Sequence, residues 1–458
     1  MKRLTLLLIL AVLGVPAGAQ ASSRQVVSFE APRELFDDAL RDRTLDEIKA
    51  FGVSRVRQLV YWKDFAPNPA ARTKPRFDAS NPDAYPAGTW DRLDKLFASA
   101  EARDVDVILT LTGPVPKWAS EGRKDYLTRP KPKEFERFAT AVGRRYGDRV
   151  DMWSIWNEPN QPQFLLPQYK SGDPVSPRWY RKLYRAALKG LRVGRANDDD
   201  RVLIAETSPR GNENVVHPLV FLRGMLCLDK NYKKDAGCGR LDVDGYAHHA
   251  YTTRRGPRYV PPDNDITIGV LSRLVNALNR AADARAIPKN VGIYLTEFGI
   301  QSTPDTVSGV SLERQAAYLA ISEQIAYANP RVRMFSQYLM HDDAPRSTGG
   351  RFSGFESGLR RSDGRPKPSY EGFRLPLAAE DYGKDDVLWG LVRPHREQTR
   401  VTIEARPRGR GWRRLRRVQT SSTGVWALRT KSVEGQRYRV RWTAPNGQTF
   451  TGAEVRAY

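Results

Sequence analysis

Two glutamates stand where sugar chemistry would need them. Glu158 lies in Asn157-Glu158-Pro159-Asn160, which closes the apolar run that starts at Val150. Glu297 ends a second such run, from Val291 through Thr296, and is followed by Phe298 and Gly299. Cleavage of a glycosidic bond passes through an oxocarbenium-like transition state. One carboxyl group must protonate the leaving oxygen, and a second must attack or stabilise the anomeric carbon. Carboxylates at the C-terminal ends of two strands can meet at one rim. In a retaining enzyme they would stand ~5–5.5 Å apart, close enough for mutual repulsion to raise the pKa of the one that serves as acid.

The elements that would position them alternate. Strands are expected near 26–29, 55–61, 105–111, 150–156, 202–206, 243–249, 291–297 and 332–339. Helices between them are expected at 44–51, 90–102, 132–146, 178–196, 266–284 and 312–328. This order fits a (β/α)8 barrel over residues 22–375. A doubly wound sheet would alternate in the same way. Polar groups at the C-terminal ends of several different strands favour the barrel, because barrel enzymes build their sites there. Residues 376–384 read as a linker. From 385 to 458 the runs are short and alternating, separated by turn signals such as Pro445-Asn446-Gly447, and read as a small β-sandwich.

Composition adds compartment and charge. Residues 1–21 have the form of an export signal: Lys2 and Arg3, an apolar stretch from Leu4 to Val15, and small-residue cleavage sites at Ala17-Gly18-Ala19 and Ala19-Gln20-Ala21. No later run is long enough to span a membrane, so a secreted protein is expected, extracellular or associated with a cell wall. Cys227 and Cys238 are the two cysteines and are expected to form a structural disulfide in that compartment. No metal or cofactor is expected, since neither cysteine has further ligands at metal spacing and two carboxyl groups suffice for the chemistry. The formal net charge is +23, or +21 without Lys2 and Arg3 (23 − 2). Residues 381–458 hold 17 Lys/Arg and 7 Asp/Glu, hence +10, with seven arginines between Arg406 and Arg417. Such an excess suits an acidic polymer or a cell wall. No nucleic-acid partner is expected.

The residues around the two glutamates extend the pattern. Trp156-Asn157-Glu158-Pro159 and Thr296-Glu297-Phe298-Gly299 resemble the acid/base and nucleophile motifs of the clan A retaining glycoside hydrolases, which include the cellulase family 5 and the xylosidase/iduronidase family 39. Val56-Arg57-Gln58-Leu59 is similar to the clan's arginine-bearing second strand. His249-Ala250-Tyr251 matches a His-x-Tyr at the end of the sixth strand, and Gly358 to Tyr370 resembles the closing segment after the eighth. The resemblance implies Glu158 as acid/base, Glu297 as nucleophile, Asn157 on the sugar 2-hydroxyl, and Arg57 and Tyr251 holding Glu297 ionised. His249 is a further substrate-binding candidate. The likeness departs at Thr112–Trp118, where many members carry a histidine, and at Tyr338, where many carry a tryptophan. Trp62, Trp118 and Tyr338 are the candidates for stacking on sugar faces. His248, of opposite strand parity to His249, reads as structural, and so does Glu206 at the end of the fifth strand.

The function expected is a secreted retaining hydrolase of β-glycosidic bonds in an oligo- or polysaccharide. A transglycosidase would use the same two glutamates. A catalytically silent polysaccharide- or wall-binding protein would keep the barrel without turnover.

Overall fold

The computed structural model describes residues 25–194, 199–344 and 354–458. The expected export signal, residues 1–21, lies outside them, as do the last two residues of the helix expected at 178–196. Among the described residues no helix is long and apolar enough to cross a membrane.

Eight parallel strands close into a barrel in chain order: β1 (Val26–Glu30), β2 (Arg55–Tyr61), β3 (Asp106–Thr112), β4 (Met152–Ile155), β5 (Arg201–Thr207), β6 (Gly245–His248), β7 (Gly292–Leu295) and β8 (Val332–Tyr338). β8 returns to β1, with Val26 paired to Met334. A helix follows each strand: α1 (Arg41–Ala50), α2 (Asp91–Glu101), α3 (Pro132–Tyr146), α4 (Ser176–Gly194), α5 (Pro218–Met225), α6 (Leu271–Asp283), α7 (Leu312–Ala328) and α8 (Pro368–Arg374).

The strand sequences explain the closure. β3 reads Asp-Val-Ile-Leu-Thr-Leu-Thr, and every residue after the first is buried, as expected where one face meets helices and the other the barrel interior. Ile108, Met152, Leu203, Ala247, Tyr294 and Met334 fill that interior, so the barrel is plugged below its C-terminal end. Outside, α3 buries Phe135, Phe138, Ala139, Val142 and Tyr146, the spacing of one helical face. It packs tightly on α4 because Gly190 has no side chain. A Cβ there would lie 2.3 Å from the Glu136 carbonyl oxygen.

Three strands are shorter than expected by three residues each. β4, β6 and β7 stop at Ile155, His248 and Leu295, before Trp156, His249 and Glu297. The backbone leaves the ladder at these points; Trp156 takes a left-handed φ of 71°, which cannot continue a strand. The sixth helix starts later than expected, after a 3-10 turn at Ile268–Val270.

The expected linker at 376–384 is mostly strand. β9 (Leu377–Asp381) pairs antiparallel with β10 (Asp385–Leu391), which pairs with β13 (Val425–Lys431). Leu377, Ala378 and Ala379 are buried, which is the reason this stretch cannot hang free. The second sheet holds β11 (Arg400–Arg406), β12 (Arg413–Gln419), β14 (Arg437–Thr443), β15 (Thr449–Thr451) and β16 (Val455–Arg456), with β12 at one edge. The two antiparallel sheets enclose Leu377, Leu388, Val401, Ile403, Tyr438 and Val440, as a small β-sandwich.

The sandwich is fused to the barrel through α7. Ala316 and Ala317 join the sandwich core, and Ala320, Ile321 and Tyr327 pack with Trp389 and Leu391. At the same contact Arg393 donates to Glu323 Oε2 at 2.5 Å and to the Phe373 carbonyl oxygen at 2.6 Å, with both charged side chains buried. Removing one partner of a buried ion pair leaves an uncompensated charge. Arg393→Met is therefore expected to lower the stability of the whole chain by about 3–5 kcal/mol, read as a lower urea midpoint. A change below about 1 kcal/mol would mean that this contact does not hold the two parts together.

Candidate active site

Arg57 sits on β2 with its side chain fully enclosed at the C-terminal end of the barrel. Its Nη2 donates to Asn157 Oδ1 and Glu206 Oε2, both at 2.7 Å. Its Nε donates to Thr110 Oγ1 at 3.0 Å. Its Nη1 donates to Glu30 and, at 3.3 Å, to Glu297 Oε2. One guanidinium on β2 thus ties together β3, the ends of β1 and β5, and the segments just past β4 and β7. Burial alone would lower its pKa, but Glu206, Glu30 and Glu297 raise it well above its ordinary value.

Glu297 has a second anchor. The Tyr251 hydroxyl donates to Oε1 at 2.6 Å. Burial, and after it the Glu297 charge, push the Tyr251 hydroxyl well above the usual phenol range, so it remains a donor. His249 lies between the two glutamates, with Nδ1 2.9 Å from Glu158 Oε1 and 3.7 Å from Glu297 Oε2. One carboxylate oxygen from each glutamate and a ring nitrogen of His249 all lie within 4.8 Å of one another. Burial raises the pKa of Glu158, against the His249 hydrogen bond and charge, which lower it. His249 is raised above its ordinary value because Glu297 and Glu158 outweigh the effect of burial.

The backbone that carries these groups is strained. Glu158 has φ 37°, Ala205 90° and Glu206 47°, all in the left-handed region that costs a non-glycine residue on the order of 1 kcal/mol or more. Hydrogen bonds hold the geometry: Asn157 N–H to Thr112 Oγ1 at 3.0 Å, and Glu158 N–H to the Glu206 carbonyl oxygen at 3.1 Å. With Oδ1 of Asn157 taken by Arg57, its amide nitrogen is the end left for a ligand.

These groups line a cavity of about 680 Å3. Asn157, Glu158, Glu297, Tyr251 and Tyr338 are in its wall; Arg57 and His249 stand behind it, in contact with the glutamates. Tyr338 makes edge contacts with Tyr251 and Phe355. Trp62 and Trp118 are not at the cavity. Trp62 stacks on Phe138 at 5.5 Å and meets Trp118 edge-on at 5.9 Å, and both are buried between the barrel and its helices. Arg57, Leu59 and Tyr61 share the face of β2 that looks to the barrel axis, and Trp62, which opens a short helix at Trp62–Phe65, packs away from it on Phe138. Trp118, on a 3-10 turn after β3, is held there by its Nε1 bond to the Pro67 carbonyl oxygen at 3.3 Å.

His248 is structural, as read from the sequence: Nδ1 meets Thr207 Oγ1 at 2.9 Å and Nε2 the Ile266 carbonyl oxygen at 2.8 Å. Burial pushes its pKa down to about 3, so it stays neutral. Glu206 is spent on Arg57. The sequence reading missed Tyr61 and Glu30, both in the cavity wall. Strand parity with Arg57 selects Tyr61. Glu30 ends the apolar run Val26-Val-Ser-Phe, the same signature that marked Glu158 and Glu297. Burial first, then the Glu297 charge, push its carboxyl up to about 8 against the pull of Arg57. Cys227 and Cys238 form a disulfide.

The cellulase family, glycosyl hydrolase family 5, matches residues 20–329. No curated protein matches the chain. Among solved structures, a family 39 glycoside hydrolase from the gut symbiont Bacteroides cellulosilyticus is 17% identical, with 92% of this chain and 81% of that one covered and a TM-score of 0.52. The GH5_18 structure from Streptomyces cattleya, in complex with GlcNAc, is also 17% identical, covering 77% of this chain and 79% of its own at a TM-score of 0.52. At that identity the two structures speak for the barrel fold, and the family match, which takes in both glutamates and spans most of the barrel, carries the assignment: the chain belongs to the cellulase family, glycosyl hydrolase family 5, and is a glycoside hydrolase of the retaining clan A.

Proposed function

We propose that this glycoside hydrolase is exported and cleaves β-glycosidic bonds by double displacement, with Glu297 as nucleophile and Glu158 as acid/base. The observation that carries the reading is the approach of the two carboxyl groups to within 4.8 Å. That suits the short separation of retaining enzymes and leaves no room for the water that an inverting enzyme places between them, at ~6.5–9.5 Å.

The two environments divide the roles. Glu297 accepts hydrogen bonds from both Arg57 and Tyr251, contacts that fix the orientation of a nucleophile. Glu158 is held up by burial, which favours a proton. In the first step Glu297 attacks the anomeric carbon, the glycosidic bond breaks, and the leaving oxygen takes the Glu158 proton. In the second, Glu158 takes a proton from water, the water oxygen attacks the anomeric carbon, and the bond to Glu297 breaks. Asn157 Nδ2 is placed to hold a sugar hydroxyl beside the nucleophile, while Arg57 fixes the amide's other end. Tyr338, Phe355 and Tyr61, in place of Trp62 and Trp118, offer the aromatic surface for sugar faces. The basic start and apolar stretch of residues 1–21, together with the disulfide, support export.

Azide separates the two roles. Glu297→Ala is expected to abolish turnover of aryl β-glycosides, with azide restoring it and giving a glycosyl azide of inverted configuration. Glu158→Ala is expected to lose about 10²–10⁴-fold on poor leaving groups, with azide giving retained configuration. Retained product from Glu297→Ala would overturn the assignment.

The alkaline limb of kcat/KM is expected to report loss of the Glu158 proton. His249 lowers the pKa of Glu158, so His249→Phe, which keeps the site dry, should move that limb to higher pH. A limb that moves to lower pH, or stays in place, would remove His249 from the control of the acid. Tyr251→Phe deletes one donor to Glu297 and is expected to lower kcat/KM by about tenfold to a hundredfold, in line with ~1.5–3 kcal/mol for a hydrogen bond to a charged group. An unchanged value would mean that Arg57 alone suffices.

A further inference from the structure

The second sheet of the sandwich turns an arginine face to solvent. In β11 the buried residues are Val401, Ile403 and Ala405, so Arg400, Thr402, Glu404 and Arg406 point outward. In β14, Tyr438, Val440 and Trp442 are buried, and Arg437, Arg439 and Arg441 point outward. The strand register aligns these residues in rows. Thr402 lies between Arg417 of β12 and Arg441; Glu404 lies between Arg414 and Arg439; Arg406 is opposite Arg437. Of these seven outward arginines, counting Arg400, four pair with two carboxylates, Glu404 and Glu454.

The pairing is uneven. Glu404 binds Arg439 at 2.7 Å, and Glu454 binds Arg406 and Arg437 at 2.5 and 2.6 Å. Trp412 lies under the guanidinium groups of Arg439 and Arg406, at 4.2 and 5.0 Å from its ring centre. These contacts hold one part of the face rigid. Arg400, Arg414 and Arg417 are exposed and have no ion-pair partner among the described residues. Charges on an edge strand often serve only to stop sheets from pairing. That accounts for β12, but β11 and β14 lie inside the sheet and need no such protection.

We infer that this face is a docking surface for an acidic polysaccharide, a chain of uronic acid units whose carboxylates the arginine rows receive. Guanidinium forks match carboxylates in a bidentate geometry, and the rows present a flat, repeating cationic surface to an extended polymer. A carbohydrate is favoured over other polyanions because the same chain carries a glycoside hydrolase barrel. The inference does not depend on which glutamate does what.

The test measures binding of the full chain to immobilised polygalacturonate, with neutral xylan and duplex DNA as comparison. The substitutions Arg400→Gln, Arg414→Gln, Arg417→Gln and Arg441→Gln, made together, are expected to weaken binding by at least about tenfold and to flatten its salt dependence. A control removes the same charge from exposed barrel positions, Arg43, Arg76, Arg92 and Lys124, each to Gln; it should change binding by less than about threefold. In the unsubstituted chain, the polymer should also protect Arg414, Arg417 and Arg441 from phenylglyoxal, a readout that needs no variant to fold. Equal losses in the two quadruple variants, no protection, or tighter binding to DNA than to polygalacturonate would each overturn the inference.

Discussion

A single buried cation organises the catalytic end of this barrel. Arg57 has no solvent to satisfy it, so its donors must all find acceptors within the protein. They find them on Glu30, Glu206, Glu297, Asn157 and Thr110, which come from β1, β3 and β5 and from the turns that follow β4 and β7. Four positions around the rim are fixed relative to the nucleophile by one planar group. Burial and the Glu297 charge raise the pKa of Glu30, and the two glutamates beside His249 raise that of the imidazole against burial. The strained φ values at Glu158, Ala205 and Glu206 persist because this network over-determines them.

Much of this was legible in the sequence. A carboxylate ending an apolar run was enough to find Glu158 and Glu297, and the alternation of runs was enough to place eight strands in order. The misplaced residues have more than one cause. Trp62 has a suitable ring, but it opens the short helix after β2 and packs on Phe138 and Trp118. Glu30 carried the right signature at the end of a short first strand and was passed over. Trp118 was beyond reach of any such rule, because its burial depends on how the turn after β3 folds back on Pro67 and Phe77.

The boundary between the two parts of the chain was misread for a further reason. Proline at 376 and the polar residues from Glu380 to Lys384 suggest a linker, while Leu377, Ala378 and Ala379 between them are a core strand. Helix α7 shows the counterpart on the barrel side. Its sequence, Leu-Glu-Arg-Gln-Ala-Ala-Tyr-Leu-Ala-Ile-Ser-Glu-Gln-Ile-Ala-Tyr-Ala, carries no clean polar stripe, because the barrel covers one side and the sandwich the other. A helix apolar around most of its girth is the mark of a second layer.

That shared helix sets the geometry available to the arginine face. A binding module on a flexible tether samples many orientations and raises only the local concentration of its ligand. Here Arg393 and Glu323, together with the alanines of α7, fix the sandwich to the barrel wall. A polymer lying along the arginine rows would run past the barrel at a constant angle. The direction in which a chain is fed to, or led away from, the cleft is then a property of the fold, as the pitch of a thread is a property of the screw.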